Sequence, residues 1–251
     1  MTATLAVDRI SKSFGGVEAV RDVSFSVAAG ELVALIGPNG AGKTTCFNCV
    51  NGQVVPDAGT IALDGKRIDR LPPRATARAG VGRTFQVAAT FASMTVRENV
   101  QVALLAHACL QNSVSSRATD RLRDEADALL TRVNIMRLAD QGCATLAYGD
   151  AKRVELALAL ANAPKLLLMD EPTAGTSPRT RRALMELAAE LARRDRIAVL
   201  FTEHDMDMVF GYADRVLVLD KGRLIAEGTP DAIRADPRVK AVYLGDEAVA
   251  G

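Results

Sequence analysis

Residues 37–44 read Gly37-Pro38-Asn39-Gly40-Ala41-Gly42-Lys43-Thr44, which fits the spacing G-x-x-x-x-G-K-[ST]. An apolar run, Leu32-Val33-Ala34-Leu35-Ile36, precedes it and reads as a buried strand. Thr45-Cys46-Phe47-Asn48-Cys49-Val50 follows and reads as the start of a helix. Strand, glycine-rich loop and helix in that order restrict the fold to those that carry a phosphate-binding loop. Glycines let backbone N–H groups close around a polyphosphate, because a Cβ would block the approach. The helix N-terminus adds partial positive charge. Lys43 is expected to reach the β- and γ-phosphates and the Thr44 hydroxyl to hold Mg²⁺. The nucleotide site expected here is therefore Gly37, Pro38, Asn39, Gly40, Ala41, Gly42, Lys43, Thr44 and Thr45. The loop points to a nucleoside triphosphate without saying what the energy is used for.

The chain has 251 residues, long enough for one large domain or two small ones. Its formal net charge of +1 gives no bulk reason to expect nucleic acid or anionic lipid as a partner. Four cysteines and the absence of Trp fit a reduced, cytoplasmic protein. No basic start precedes an apolar stretch, so no signal peptide is expected. The longest apolar candidate, Leu156 to Met169, is interrupted by Asn162, Pro164 and Lys165 and falls short of the roughly 18–20 residues of a membrane span. Any membrane role must come through a partner. Cys46 and Cys49 form a C-x-x-C, but no second pair has metal-site spacing. The plainer reading is one buried helix face, since i and i+3 lie together. Cys109 and Cys143 read as small apolar fillers, and His107 receives no role.

Strand character returns at Leu5-Ala6-Val7, Val23-Ser24-Phe25-Ser26-Val27 and Thr60-Ile61-Ala62-Leu63, with turn signals at Gly15-Gly16, at Ala28-Ala29-Gly30-Glu31 and around Pro56–Gly59. An antiparallel sheet is expected before the nucleotide core. From about residue 95 the strand signals vanish. Val96, Val100 and Leu104, then Leu122, Ala126, Leu129, Leu130 and Val133, recur at helical spacing, with Asn112–Ser116 as a loop between them. Arg121, Arg123, Asp124, Glu125 and Asp127 read as a solvated helix face. Alternation resumes with strands at Leu166–Asp170, Ile197–Thr202 and Val216–Leu219 and a helix over 178–193. The expected division is a core of residues 1–94 and 160–251 with an inserted helical block, residues 95–159.

Leu166-Leu167-Leu168-Met169-Asp170-Glu171 is an apolar strand ending in two acids. A carboxylate at a strand tip facing a phosphate loop is suited to Mg²⁺, and this role falls to Asp170. Glu171 is then free to polarise the attacking water. Gln86, after Val81-Gly82-Arg83-Thr84-Phe85, ends a strand, and its neutral amide can touch Mg²⁺ or water. His204 follows the strand Ile197–Thr202 and Glu203, where it can donate a hydrogen bond to the γ-phosphate. Phe14 is placed to stack on adenine.

These motifs, in this order and over nearly the whole chain, resemble the ATP-binding subunits of ABC transporters. The resemblance implies an α/β fold: a P-loop NTPase core, built on a mixed sheet with an N-terminal antiparallel β part, plus an inserted helical subdomain. It also implies two subunits closing head to tail around two ATP molecules, each ATP capped in trans by the other subunit's signature segment. That segment reads Leu146-Ala147-Tyr148-Gly149-Asp150, against a common Leu-Ser-Gly-Gly-Gln. Ala147, Tyr148 and Gly149 are the trans residues, and Ala147 lacks the usual hydroxyl. Ser177 stands where an aspartate is usual in the inter-subunit loop.

Within the family, Arg83-Thr84-Phe85-Gln86, Met94–Val100, Thr202–Met206 and the tail segments Gly228–Ile233 and Val242-Tyr243-Leu244-Gly245 are similar to bacterial importers of branched-chain amino acids, closest to the longer of two ATPase subunits. Urea or amide importers share these features, and the ATPase of lipopolysaccharide export has a similar tail, so both stay open. A non-transport ABC ATPase is the alternative of a different class. The implied partners are transmembrane permease subunits, a second ATPase subunit (identical or paralogous) and, indirectly, a substrate-binding protein, with no nucleic acid. The implied location is the cytoplasmic face of the inner membrane, held peripherally. Residues around 87–100 are expected to dock against a permease coupling helix; the apolar cluster Val87, Phe91, Met94 and Val96 is consistent with such an interface, with core burial explaining part of it.

Overall fold

Two long strands, β1 (Ala3–Phe14) and β2 (Val17–Ala28), form a hairpin turning at Gly15-Gly16. The computed structural model describes residues 3–84, 90–107 and 116–244. The short strand signals at 5–7 and 23–27 belong to these two strands, which run on through Asp8, Arg9 and Lys12 because that stretch keeps its polar groups toward solvent. Next come β3 (Leu32–Ile36), α1 (Lys43–Val50), β4 (Ala58–Leu63), β5 (Lys66–Arg67), α2 (Pro73–Ala79) and β6 (Val81–Thr84). The helices α3 (Val96–His107), α4 (Ser116–Arg132) and α5 (Tyr148–Leu160) follow. The chain then alternates through β7 (Leu166–Asp170), α6 (Pro178–Asp195), β8 (Ala198–Thr202), α7 (Met206–Tyr212) and β9 (Arg215–Asp220). It closes with β10 (Arg223–Gly228), α8 (Pro230–Ala235) and α9 (Pro237–Leu244).

The strands form two sheets. One is antiparallel, in the order β2-β1-β4-β5. The other is mixed, in the order β10-β9-β3-β8-β7-β6, parallel throughout except for the β9–β10 pair. The fold is α/β of the P-loop NTPase kind. The continuous apolar runs of the central strands follow from burial on both faces. In β3, Leu32, Ala34 and Ile36 enter the core shared with the helices, whereas Val33 and Leu35 enter the core shared with α1 and the antiparallel sheet. Strands β7 and β8 divide in the same way: Leu167, Met169, Val199 and Phe201 face one side, and Leu166, Leu168, Ala198 and Leu200 the other. The parallel strands therefore end side by side, and the polar last residues of β7 and β9, Asp170 and Asp220, are only half-buried there.

Helices α3, α4 and α5 bury Val96, Val100 and Leu104 against Leu122, Ala126, Leu130 and Val154. One expectation narrows here and another changes. Val96 is fully buried, so of the apolar residues assigned to a partner surface it belongs to the core; Phe91 is exposed, Met94 half-buried, and Val87 outside the described residues. Asp127 leaves the solvated face and pairs at 2.6 Å with Arg97, a buried guanidinium that also meets Asp140. Arg123, Asp124 and Glu125 are exposed as expected. Residues 112–115 of the expected loop, the Cys109 position and the Arg121 side chain lie outside the described residues.

Cys46 and Cys49 both pack into the core beneath α1, and neither is in a disulfide. Burial pushes the Cys46 thiol far above the ordinary thiol range and the Cys49 thiol up to about 11. A thiol held neutral is a poor nucleophile and metal ligand. Native protein treated with iodoacetamide at pH 8 should therefore show no modification of either residue by mass spectrometry, and full modification after denaturation. Labelling of either residue in the folded protein would contradict the buried-face reading.

Candidate functional site

The phosphate loop leaves β3 at Gly37 and enters α1 at Lys43. Its end glycines are dictated by the protein's own backbone as much as by any ligand. A Cβ at Gly37 would stand 2.2 Å from the Leu219 carbonyl oxygen of β9, and one at Gly42 would stand 2.4 Å from the Ala19 carbonyl oxygen of β2. The Lys43 ammonium donates to the carbonyls of Gly37 (2.6 Å) and Pro38 (3.0 Å), drawing the loop into a closed ring. Burial lowers the Lys43 pKa, against the opposing pull of the Glu171 and Asp170 carboxylates. These three charges therefore share one site. Thr44 is exposed at the first turn of α1, and Thr45 is half-buried behind it.

Asp170 ends β7, paired in register with Thr202 at the end of the neighbouring β8. The Thr202 hydroxyl donates to Asp170 Oδ1 at 2.8 Å. Arg83, from β6 on the other side, donates through Nη2 to Asp170 Oδ2 at 3.1 Å. The carboxylate is thus gripped from both flanking strands. Glu171 turns the chain away from the strand with φ 47°, a left-handed conformation unusual for a side chain with a Cβ. Its N–H is held at 3.1 Å by both the carbonyl and the hydroxyl of Thr202. Its Oε1 lies 2.9 Å from His204 Nε2. An ionised carboxylate only accepts, so the imidazole presents Nε2–H to it. The structure thus brings Gly37–Thr45, Asp170, Glu171 and His204 to one edge of the mixed sheet. Gln86 lies outside the described residues. Phe14 is an exposed ring at the tip of the β1–β2 hairpin, with the Lys12 ammonium 5.5 Å from its centre.

Ala147, Tyr148 and Gly149 sit elsewhere in this chain, at the start of α5. Ala147 occupies the N-cap position and offers no side-chain cap; its carbonyl accepts the Asp150 N–H at 2.9 Å, which leaves the Tyr148 and Gly149 N–H groups without a capping side chain. A Cβ at Gly149 would meet the Thr180 methyl of α6 at 2.6 Å, and the Tyr148 ring lies against Gly175. Residues 148–149 of α5 and residues 175–180 are therefore packed together. Ser177, in place of the usual aspartate, caps α6 by accepting the Thr180 N–H at 3.3 Å.

Three contributors were not singled out from the sequence. Arg83 and Thr202 hold Asp170, and Glu203 is buried, with one carboxylate oxygen on the Thr173 N–H (2.8 Å) and the other on the His204 N–H (3.3 Å). Polar residues at the ends of otherwise apolar strands were the available signal for Thr202 and Glu203.

The donor set also bears on a metal. Thr44 and Asp170 offer hard oxygen atoms. No group of three or more His, Cys, Asp or Glu side chains gathers into a metal cage among the described residues. Such a set suits Mg²⁺, which keeps waters and takes phosphate oxygens, and does not suit an all-protein site. A groove of about 350 Å³ opens between α2, β6 and the helices, with Ala77, Arg83, Phe91, Asn99, Val102 and Leu158 in its walls. Among the described residues, no helix is long and apolar enough to cross a membrane.

The chain is similar to known proteins over nearly its whole length. Residues 20–174 match the family described as "ABC transporter", and residues 223–249 match "Branched-chain amino acid ATP-binding cassette transporter". The chain is 41% identical over 249 residues to the high-affinity branched-chain amino acid transport ATP-binding protein LivG of Salmonella typhimurium, covering 96% of this chain and 98% of that one. It is 38% identical over 245 residues to the lipopolysaccharide export system ATP-binding protein LptB of Escherichia coli, covering 98% of each. The solved structure of a nucleotide-free ATP-binding cassette from an ABC transporter superposes with a TM-score of 0.86 at 30% identity, covering 98% of this chain and all of that one. The chain belongs to the ABC transporter family and is one of its ATP-hydrolysing subunits.

Proposed function

We propose that this subunit energises import of branched-chain or closely related amino acids, working as one of a pair of ATPases beneath transmembrane permease subunits, on the cytoplasmic face of the membrane. A substrate-binding protein selects the cargo and never touches this chain. The observation that carries the substrate class is the match of residues 223–249, the segment of β10, α8 and α9, to the branched-chain amino acid group. The apolar stretch of the groove around Phe91, Val102 and Leu158 is the docking place for a permease helix.

In the reading we favour, the loop N–H groups and Lys43 hold the β- and γ-phosphates, and Phe14 stacks on the adenine. Thr44, Asp170 and Gln86 hold the Mg²⁺, which when bound neutralises charge building on the phosphates. Glu171 orients and deprotonates the attacking water. His204, whose Nε2–H meets Glu171, donates instead to the γ-phosphate when nucleotide is bound. The N-terminus of α5, with Ala147, Tyr148 and Gly149, caps the nucleotide of the second ATPase. Without a serine hydroxyl at 147, that contact rests on backbone N–H groups and is weaker by roughly 0.5–1.5 kcal/mol, the worth of one neutral hydrogen bond.

Deleting the gene should abolish high-affinity uptake of radiolabelled leucine and valine by cells. A plasmid copy of the wild-type chain should restore it, and a Glu171→Gln copy should not. Unchanged leucine and valine uptake in the deletion strain would overturn the amino-acid reading. Loss of lipopolysaccharide from the outer surface with intact uptake would move the chain to the export class represented by the 38% identical relative.

A further inference from the structure

Two of the three protein donors read as metal ligands, Thr44 and Asp170, come from different elements. Thr44 is at the start of α1 and Asp170 at the tip of β7, so their separation depends on how helix and sheet are held together. Arg83 makes that connection. Its Nη1 donates to Asn48 Oδ1 of α1 at 2.7 Å and to Gln53 Oε1 just beyond α1 at 3.1 Å, while its Nη2 donates to Asp170 Oδ2 at 3.1 Å. The guanidinium also lies 6.0 Å from the centre of the Phe47 ring, on the same helix. Both members of the Arg83–Asp170 pair are close to nine-tenths buried, with side chains 11% and 14% exposed. A buried pair of this kind is costly to break, because removing one member leaves the other charge uncompensated. The planar fork of arginine can hold partners on separate elements at once; a lysine ammonium is a single point with a flexible stem.

We propose that Arg83 is a positioning residue for the metal site: it locks the Asp170 carboxylate at a fixed distance and angle from Thr44 by tying β7 to α1. It touches neither metal nor phosphate, and acts through Asp170. The proposal rests on the reading of Asp170 as a metal carboxylate, and the experiment separates the two. Outer partners of metal ligands change metal affinity by about 10- to 100-fold when removed. With a saturating non-hydrolysable ATP analogue, Mn²⁺ binding followed by electron paramagnetic resonance should weaken by about that factor in Arg83→Met. Arg83→Lys, which keeps the charge but not the fork, should fall between Arg83→Met and wild type. Asn48→Ala should weaken binding in the same direction with less disturbance of the fold. Binding of a fluorescent ATP analogue in EDTA should be unchanged in all three. Unaltered Mn²⁺ affinity in Arg83→Met and Asn48→Ala, with weakened affinity in Asp170→Asn, would overturn the proposal and leave the role of Asp170 standing. Unaltered affinity in Asp170→Asn would remove the reading on which it rests. Equal loss of metal-free nucleotide binding would assign Arg83 to the general fold instead.

Discussion

Glu171→Gln is expected to lower ATP turnover by about 10²- to 10⁴-fold, the usual contribution of a positioned general base, while ATP binding and ATP-driven pairing of subunits persist. The substitution keeps the length and shape of the side chain. The backbone turn at residue 171, with φ 47° and its N–H held by Thr202, makes no demand on the side-chain charge. A glutamine carbonyl can still accept the Nε2–H of His204 that Glu171 Oε1 meets at 2.9 Å. What disappears is basicity: an amide oxygen cannot take a proton from water at neutral pH. One of the two carboxylates that favour the Lys43 ammonium also goes, so the loop loses some opposing charge without losing its phosphate contacts. Phosphate release measured at saturating ATP, together with gel filtration in ATP and in ADP, reads both halves. Wild-type turnover would show that another group activates the water, and failure to pair in ATP would show that Glu171 has a structural share in closure.

The parts of this site that could be read in the sequence are those whose chemistry lies within a few residues of a buried strand. Leu32–Ile36 and Leu166–Asp170 are observed with the boundaries their apolar runs suggest, because strands buried on both faces need every residue apolar. The phosphate loop and the two acids follow directly from those strands. The parts that escaped depend on distant pairings. Arg83 meets Asp170 across 87 residues, and Thr202 meets it across 32. Nothing in the local pattern around Arg83 distinguishes an arginine aimed at a carboxylate from one aimed at water. Strands β1 and β2 were legible only at their apolar ends away from the hairpin turn, since their solvent-facing stretches carry charges that look like loop. Val96 shows the converse limit: the local pattern leaves an apolar residue near an expected partner surface open to interface or core, and the structure puts it in the core beneath α3. Ser177 was legible as a departure from the usual aspartate, but its work as a helix cap needed the start of α6 in view.

Gly42→Ala should be among the most damaging single-methyl changes in this chain, and the reason is backbone rather than ligand. Gly42 is the N-cap of α1, has φ 104°, and accepts the Cys46 N–H through its carbonyl at 2.9 Å. A methyl there would overlap the Ala19 carbonyl oxygen at 2.4 Å, an atom fixed in β2 by the antiparallel sheet. Either the loop or the hairpin must move, and α1 carries Lys43 and Thr44 with it. The strained φ alone costs about 1–3 kcal/mol, and the overlap adds to it. At about 2–4 °C per kcal/mol for a chain of this size, Tm should fall by roughly 5–10 °C, with ATP affinity falling with it. Gly40→Ala isolates the ligand contribution. Gly40 also has positive φ, 80°, but a Cβ there would meet nothing within 4 Å. Its stability loss should stay near the about 1–2 kcal/mol of a left-handed residue, and any larger loss of ATP affinity then reports a methyl obstructing the phosphates. Differential scanning calorimetry with a fluorescent ATP analogue separates the two. If Gly42→Ala melted within 2 °C of wild type, which is the lower slope applied to about 1 kcal/mol, the loop would have to relax without moving β2, and the backbone explanation for that glycine would fall.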